Sequence, residues 1–183
     1  MEDPTGCNGN DMLFIRLLYR RDGRVAQRSL GNDADAKDLN FYMVTKRPER
    51  IADCLPPFWS ELKERIYVCC TMENQRRADE RLPIFQRMPI AHREIIVEPM
   101  LEKIDFHSSL NGIDRITVGG ESGIYARLCH YEWVLDVRRQ CKEASIAFHF
   151  MQTGGNFYKD GKNYKLTHRL QIVQAARANI NIL

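Results

Sequence analysis

Glu98 and Glu121 each stand at the polar end of a short apolar run, the first followed by Pro99 and the second set within Gly119-Gly120-Glu121-Ser122-Gly123. Two carboxylates brought to one place can work as an acid/base pair or bind a cationic group; singly, each is a solvated carboxylate or an arginine's partner. Arg127, shortly after the glycine turn, is the natural partner of a nearby carboxylate or of an anionic ligand. The pentad lacks the glycine spacings of dinucleotide and phosphate loops. What it offers is backbone without Cβ, which lets a ligand come close and turns N–H groups toward an anion. Three further runs end in Thr45-Lys46-Arg47-Pro48, Thr71-Met72-Glu73-Asn74 and Met151-Gln152-Thr153-Gly154-Gly155. The ligand-binding candidates are therefore Thr45, Lys46, Arg47, Glu73, Asn74, Glu98, Gly119, Gly120, Glu121, Ser122, Arg127 and Gln152. No nucleophile with a positioned base can be named, so no catalytic residue is assigned.

Metal chemistry is not written in the spacing. Cys7, Cys54, Cys69, Cys70, Cys129 and Cys141 include no pair separated by two residues, and the five histidines are scattered. Reduced thiols and no metal held by this chain are expected.

The elements that carry these tips repeat one pattern. Apolar runs at 39–44, 66–70, 94–97, 113–118 and 146–150 are of strand length, and their near-continuous apolarity predicts strands covered on both faces, as in a parallel sheet. Helical spacing fills the intervals at 59–65, at 75–88 with Ala78, Leu82 and Phe85 on one face, and at 131–144 with Val134, Val137 and Cys141. Pro83 is expected to kink or split the second of these. The fold class is α/β, a parallel sheet of βα units. Five units cannot close a (β/α)₈ barrel, so an open parallel sheet with one edge unprotected and marginal stability is expected. Ligands bind at the C-terminal strand ends in such folds, which places all five tips at one mouth.

With 183 residues and a formal charge of +3, the chain makes one domain and has too small a surplus to demand a nucleic-acid or lipid partner. No apolar stretch approaches a membrane span, and a cytoplasmic protein is expected. The surplus is local: residues 156–183 hold five basic residues against Asp160, five minus one giving +4. One reading is a hairpin around Asp160-Gly161 and a closing amphipathic helix over 166–180 with Leu170, Val173 and Arg177. The other is a nucleic-acid contact through Lys159, Lys162 and Lys165, interleaved with Tyr158 and Tyr164.

The strings 39–50 (Leu-Asn-Phe-Tyr-Met-Val-Thr-Lys-Arg-Pro-Glu-Arg), Glu73-Asn74-Gln75, Ala78-Asp79-Glu80-Arg81, Val97-Glu98-Pro99, 118–123 and Gln152-Thr153-Gly154 resemble, in order, the phage gp thirty-seven/gp sixty-eight family. The resemblance, which covers residues 38–183, implies a partial (incomplete) TIM-type barrel there and a radical S-adenosylmethionine-like protein of unassigned substrate, whose complete members carry an N-terminal three-cysteine motif, a [4Fe–4S] cluster and S-adenosylmethionine. Two departures stand out. Only Cys7 precedes the matching strings, so the cluster motif is absent, and Met151 stands where the family often has lysine. Residues 1–37 match no βα unit and are expected to be a frameshifted or disordered segment. The expected function is thus the C-terminal portion of such a protein, lacking iron–sulfur activity on its own; the alternative is a non-catalytic binding module.

Overall fold

The computed structural model describes residues 17–20, 25–26, 39–55 and 59–183. Its strands and helices are β1 (Leu17–Arg20), β2 (Val25–Ala26), β3 (Leu39–Thr45), α1 (Trp59–Leu62), β4 (Ile66–Thr71), α2 (Gln75–Arg87), β5 (His92–Val97), β6 (Arg115–Gly119), β7 (Cys129–His130), α3 (Tyr131–Glu143), β8 (Ala147–Gln152), β9 (Asn156–Lys159), β10 (Lys162–Lys165) and α4 (His168–Ala178). The class is mixed α/β. One sheet runs in the order β2-β1-β3-β4-β5-β6-β8, in which β3, β4, β5, β6 and β8 are joined by four parallel pairings. A smaller sheet, β10-β9-β7, lies at the C-terminal end.

Strand alternation gives the large sheet two unlike faces. On one, rows such as Cys70–Ile95–Ile116–Phe148 and Val97–Val118–Phe150 pack against Ala78, Leu82 and Phe85 of α2 and Val134, Val137 and Cys141 of α3. On the other, Tyr42, Tyr67 and His92 sit side by side on β3, β4 and β5, their rings stacked at 4.8 and 4.4 Å. The next row of that face carries Cys69, Glu94 and Arg115.

Pro83 does not split α2, which runs unbroken from Gln75 to Arg87. Proline removes a single helix hydrogen bond, while Leu82 and Phe85 beside it are buried in the core and hold the turn in place. Asn74 starts the helix by accepting the Arg77 N–H at 2.9 Å.

The crossover from β5 to β6 contains no helix. Residues 98–114 instead bury Met100, Ile104, Phe106, Leu110 and Ile113, and three glutamines supply the hydrogen bonds that a helix would have made internally. Gln75 pairs with both the N–H and the carbonyl of Asp105, Gln140 donates to Ile104 O and accepts from Phe106 N, and Gln86 donates to Ser109 O and Asn111 O.

The sheet's parallel edges are covered, contrary to the exposed edge expected of five units. β1 pairs antiparallel with β3. On the far side, Phe148 and Ile182 exchange two backbone hydrogen bonds of 2.9 Å, and Asn181 Oδ1 accepts the Phe150 N–H. Each pairing satisfies ladder groups that an open edge would leave to another chain. The closing helix also differs in its facing: α4 buries Gln171 and Ala175 and leaves Leu170 exposed, because its contact is with β8 and the tip loops. Asp160 and Gly161, both at positive φ, form the two-residue turn of the β9–β10 hairpin. Among the described residues no helix is long and apolar enough to cross a membrane.

Phe85, fully buried between α2 and the sheet, is the anchor of this packing. Phe85→Ala should lower the urea unfolding free energy by about 3–5 kcal/mol, measured by circular dichroism at unchanged slope.

Candidate functional site

The C-terminal strand ends are laced together through backbone. Leu101 donates to Glu73 O at 3.1 Å, Met100 to Gly119 O at 2.8 Å, and Gly120 to Gln152 O at 3.1 Å, so the tips of β4, β5, β6 and β8 form one rim. Gly155 N donates to Glu121 O at 2.7 Å and extends it.

Three clusters stand on the rim. In the first, Glu73 takes Lys46 Nζ at 3.3 Å and Arg81 at 2.8 Å, and Arg81 also donates to Thr71 O at 2.6 Å. Burial pushes the Glu73 carboxyl up, but its own backbone N–H and the two cations outweigh this and hold it below the ordinary value. In the second, Gln152 Nε2 donates to Glu98 Oε1 and, at 3.2 Å, to Gly120 O. Ser122 Oγ lies 3.2 Å from Gln152 Oε1 and 3.0 Å from Gln171 Oε1. Glu98 is half-buried with no cation paired to it among the described residues, and burial raises its carboxyl despite the Gln152 bond. In the third, Arg127 grips Glu121 with its backbone N–H, Nε and Nη2 at 2.8, 2.8 and 2.5 Å, bringing that carboxyl down to about 2. Of the alternatives for the two carboxylates, Glu121 is the arginine-paired one; Glu98 and Glu121 belong to separate clusters.

Other candidates have local duties. Thr45 is buried and accepts the Arg47 N–H at 3.0 Å, and Asn74 caps α2. Gly119 and Gly120 do give close approach, but to the protein itself rather than to a ligand. A Cβ on Gly119 would lie 2.8 Å from Glu98 Cδ, one on Gly120 would strike the Thr153 carbonyl, and one on Gly154, at φ +84°, would lie 2.8 Å from Gly120. Gly123, in contrast, has open space around it, and the Ile124 and Tyr125 side chains that follow are 84% and 91% exposed at the rim.

Lys159, Lys162 and Lys165 lie away from the rim on the hairpin. Lys159 is held over the Tyr131 ring at 4.8 Å, while Lys162 and Lys165 are exposed. Sequence reasoning missed Arg81 and Gln171, whose helical positions look ordinary, and the polar sheet face. Glu94 was the available signal for that face: a carboxylate inside an apolar run. It is 5% exposed with Arg115 at 3.5 Å, and burial raises its carboxyl. Burial and then the Glu94 charge push the Tyr42 hydroxyl up to about 12.

Among the described residues no group of three or more His, Cys, Asp or Glu side chains is placed to hold a metal. The described thiols do not fit an iron–sulfur cluster: Cys69, Cys70, Cys129 and Cys141 are buried and free, and burial pushes Cys70, Cys129 and Cys141 up to about 12 and raises Cys69 as well. Cys7 and the Cys54 side chain lie outside the described residues.

Fold and rim together define an α/β protein with a polar site at the C-terminal edge of a parallel sheet. The chain belongs to the family described as protein of unknown function DUF5131, whose model matches residues 24–178. No curated protein and no solved structure matches it. The family match starts upstream of residue 38, the domain boundary expected from the sequence.

Two outcomes follow from this geometry. Gly120→Ala should destabilise the protein by about 1–3 kcal/mol through overpacking, read as a lowered thermal midpoint. The Glu121 carboxyl is depressed on folding, so its pairing contributes stability above the ordinary value of 4.5 that is lost as pH falls toward about 2. Glu121→Gln should therefore flatten the stability profile across that acid window and leave its shape above it unchanged, which urea titrations at stepped pH would show.

Proposed function

We propose that this chain is the barrel portion of a radical-S-adenosylmethionine-like protein of the phage gp thirty-seven/gp sixty-eight type, holding a small substrate at the strand-tip rim and lacking iron–sulfur activity on its own. The observation that carries this reading is the sequential order of five parallel strands, four of which have their C-terminal ends laced through backbone. A barrel wall needs strands in sequence order, whereas a doubly wound sheet reverses direction at a switch point. The two-faced sheet supports the same reading, with helices on its apolar side and Tyr42, Tyr67, His92, Glu94 and Arg115 on the side a barrel would enclose. The ordered motif strings from Leu39 to Gly154 add the family resemblance.

At the rim, Lys46, Arg47 and Arg127 are exposed cations, suited to an anionic substrate group, while Glu98 is the carboxyl that burial raises above its ordinary value. Gln152 and Ser122 supply neutral hydrogen-bonding groups between them. A [4Fe–4S] cluster of this type needs three thiolates, and the chain has only Cys7 ahead of the matching strings.

A second reading, a non-catalytic nucleic-acid module, is favoured by Lys162 and Lys165, exposed on the hairpin with no ion pair among the described residues. A salt-dependent mobility shift abolished by replacing Lys159, Lys162 and Lys165 would support it; no shift at low salt would remove it.

The first reading is tested by anaerobic iron–sulfur reconstitution of the full chain, with iron counted and S-adenosylmethionine retention measured. No stable cluster is expected. A stoichiometric cubane, about four irons, with bound S-adenosylmethionine would overturn the claim of inactivity.

A further inference from the structure

A hollow, about 320 Å³ in volume, opens between the β9–β10 hairpin, the start of α3 and the last turns of α4. None of the side chains of the three rim clusters lines it. Its base is aromatic. Phe150 and Phe157 are buried with ring centroids 6.2 Å apart, and Tyr131 meets Phe157 edge-on at 5.9 Å. Tyr164, half-exposed, makes a wall.

Two cations border this space. Lys159 Nζ sits 4.8 Å above the Tyr131 ring, and its one carboxylate neighbour among the described residues, the exposed Asp160, is 3.9 Å away. Arg177 makes no ion pair or hydrogen bond among the described residues. The negative end of α4 accounts for one basic side chain in its last turn. It does not account for Lys159, which comes from a different element and faces the same hollow.

Aromatic walls take a flat ring by stacking, and cations beside them take an anionic group through charge-assisted hydrogen bonds. The volume lies near the lower end of the range for ligand pockets, about 300–1,000 Å³, which limits the occupant to one small unit. Gln174, lining the space, adds a neutral amide suited to a sugar or a base edge.

We infer that the hollow bounded by Tyr131, Phe157, Lys159, Tyr164 and Arg177 binds a mononucleotide unit, its base against the aromatic rings and its phosphate between the two cations. The unit is either a free nucleotide or the phosphorylated end of a strand. This site is separate from the strand-tip rim and does not depend on the function proposed there.

Isothermal titration of the full chain with adenosine 5′-monophosphate tests it, with adenosine and inorganic phosphate as the separated halves. Saturable binding of the nucleotide is expected, at least about tenfold tighter than either half. Lys159→Gln and Arg177→Gln should each weaken it about tenfold, while Lys142→Gln, in the last turn of α3 and outside the hollow, leaves it unchanged. If either charge variant has a lowered thermal midpoint, Tyr164→Ala at the exposed wall carries the same expected loss. A short oligonucleotide with and without a 5′-phosphate separates the sources. Tighter binding of the phosphorylated strand than of the free nucleotide supports a strand end; tighter binding of the free nucleotide supports a diffusible ligand. Failure of the nucleotide to saturate at millimolar concentration, or binding undiminished in both charge variants, overturns the inference.

Discussion

Gly120 and Gly154 meet backbone to backbone, with no room for a Cβ on either, and the rest of the strand-tip rim follows from that contact. It sets the tips of β6 and β8 close enough for Gly120 N to donate to Gln152 O and for the Gln152 side chain to reach both Gly120 O and Glu98. A larger residue at either position would separate the tips, and the Gln152 carboxamide would lose its acceptors together. Glycine here provides close packing between chain segments rather than exposed backbone for a ligand.

That packing places three carboxylates in unlike electrostatic settings within one rim. Glu73 is partly buried but has two cations, and Glu121 is gripped by a guanidinium fork, so both stay ionised. Glu98 is half-buried with an amide in place of a cation, and burial raises its carboxyl above the ordinary value. Sites that push the protonation states of neighbouring acids apart are where proton transfer and ligand recognition are found. The exposed pair Ile124 and Tyr125 stands beside this group on a loop whose ends the Glu121–Arg127 fork holds together.

The sheet behind the rim is stabilised on one side only in the ordinary way. Its helix-facing side is a continuous apolar core, whereas its opposite side carries stacked rings, a buried carboxylate and an arginine. Burying Glu94 costs free energy that the 3.5 Å Arg115 contact only partly offsets. Polar side chains in register on three adjacent strands make this a surface shaped for something other than packing against helices.

The five parallel strands, α2 with its Ala78–Leu82–Phe85 face, α3 with Val134, Val137 and Cys141, and the Asp160-Gly161 hairpin were all legible in the chain, because each is a local pattern: an apolar run, a helical period or a turn dipeptide. The placement of Lys46 beside Glu73, and of Gln152 beside Glu98, followed only from the rule that parallel strand ends share an edge. What tertiary structure alone decided was pairing across distance. Arg81 rather than solvent satisfies Glu73, Arg127 rather than a ligand satisfies Glu121, and three glutamines hold a helix-free crossover. Local pattern encodes which face of an element is apolar; it does not encode which distant polar group completes a hydrogen bond, since that depends on how the elements meet in space.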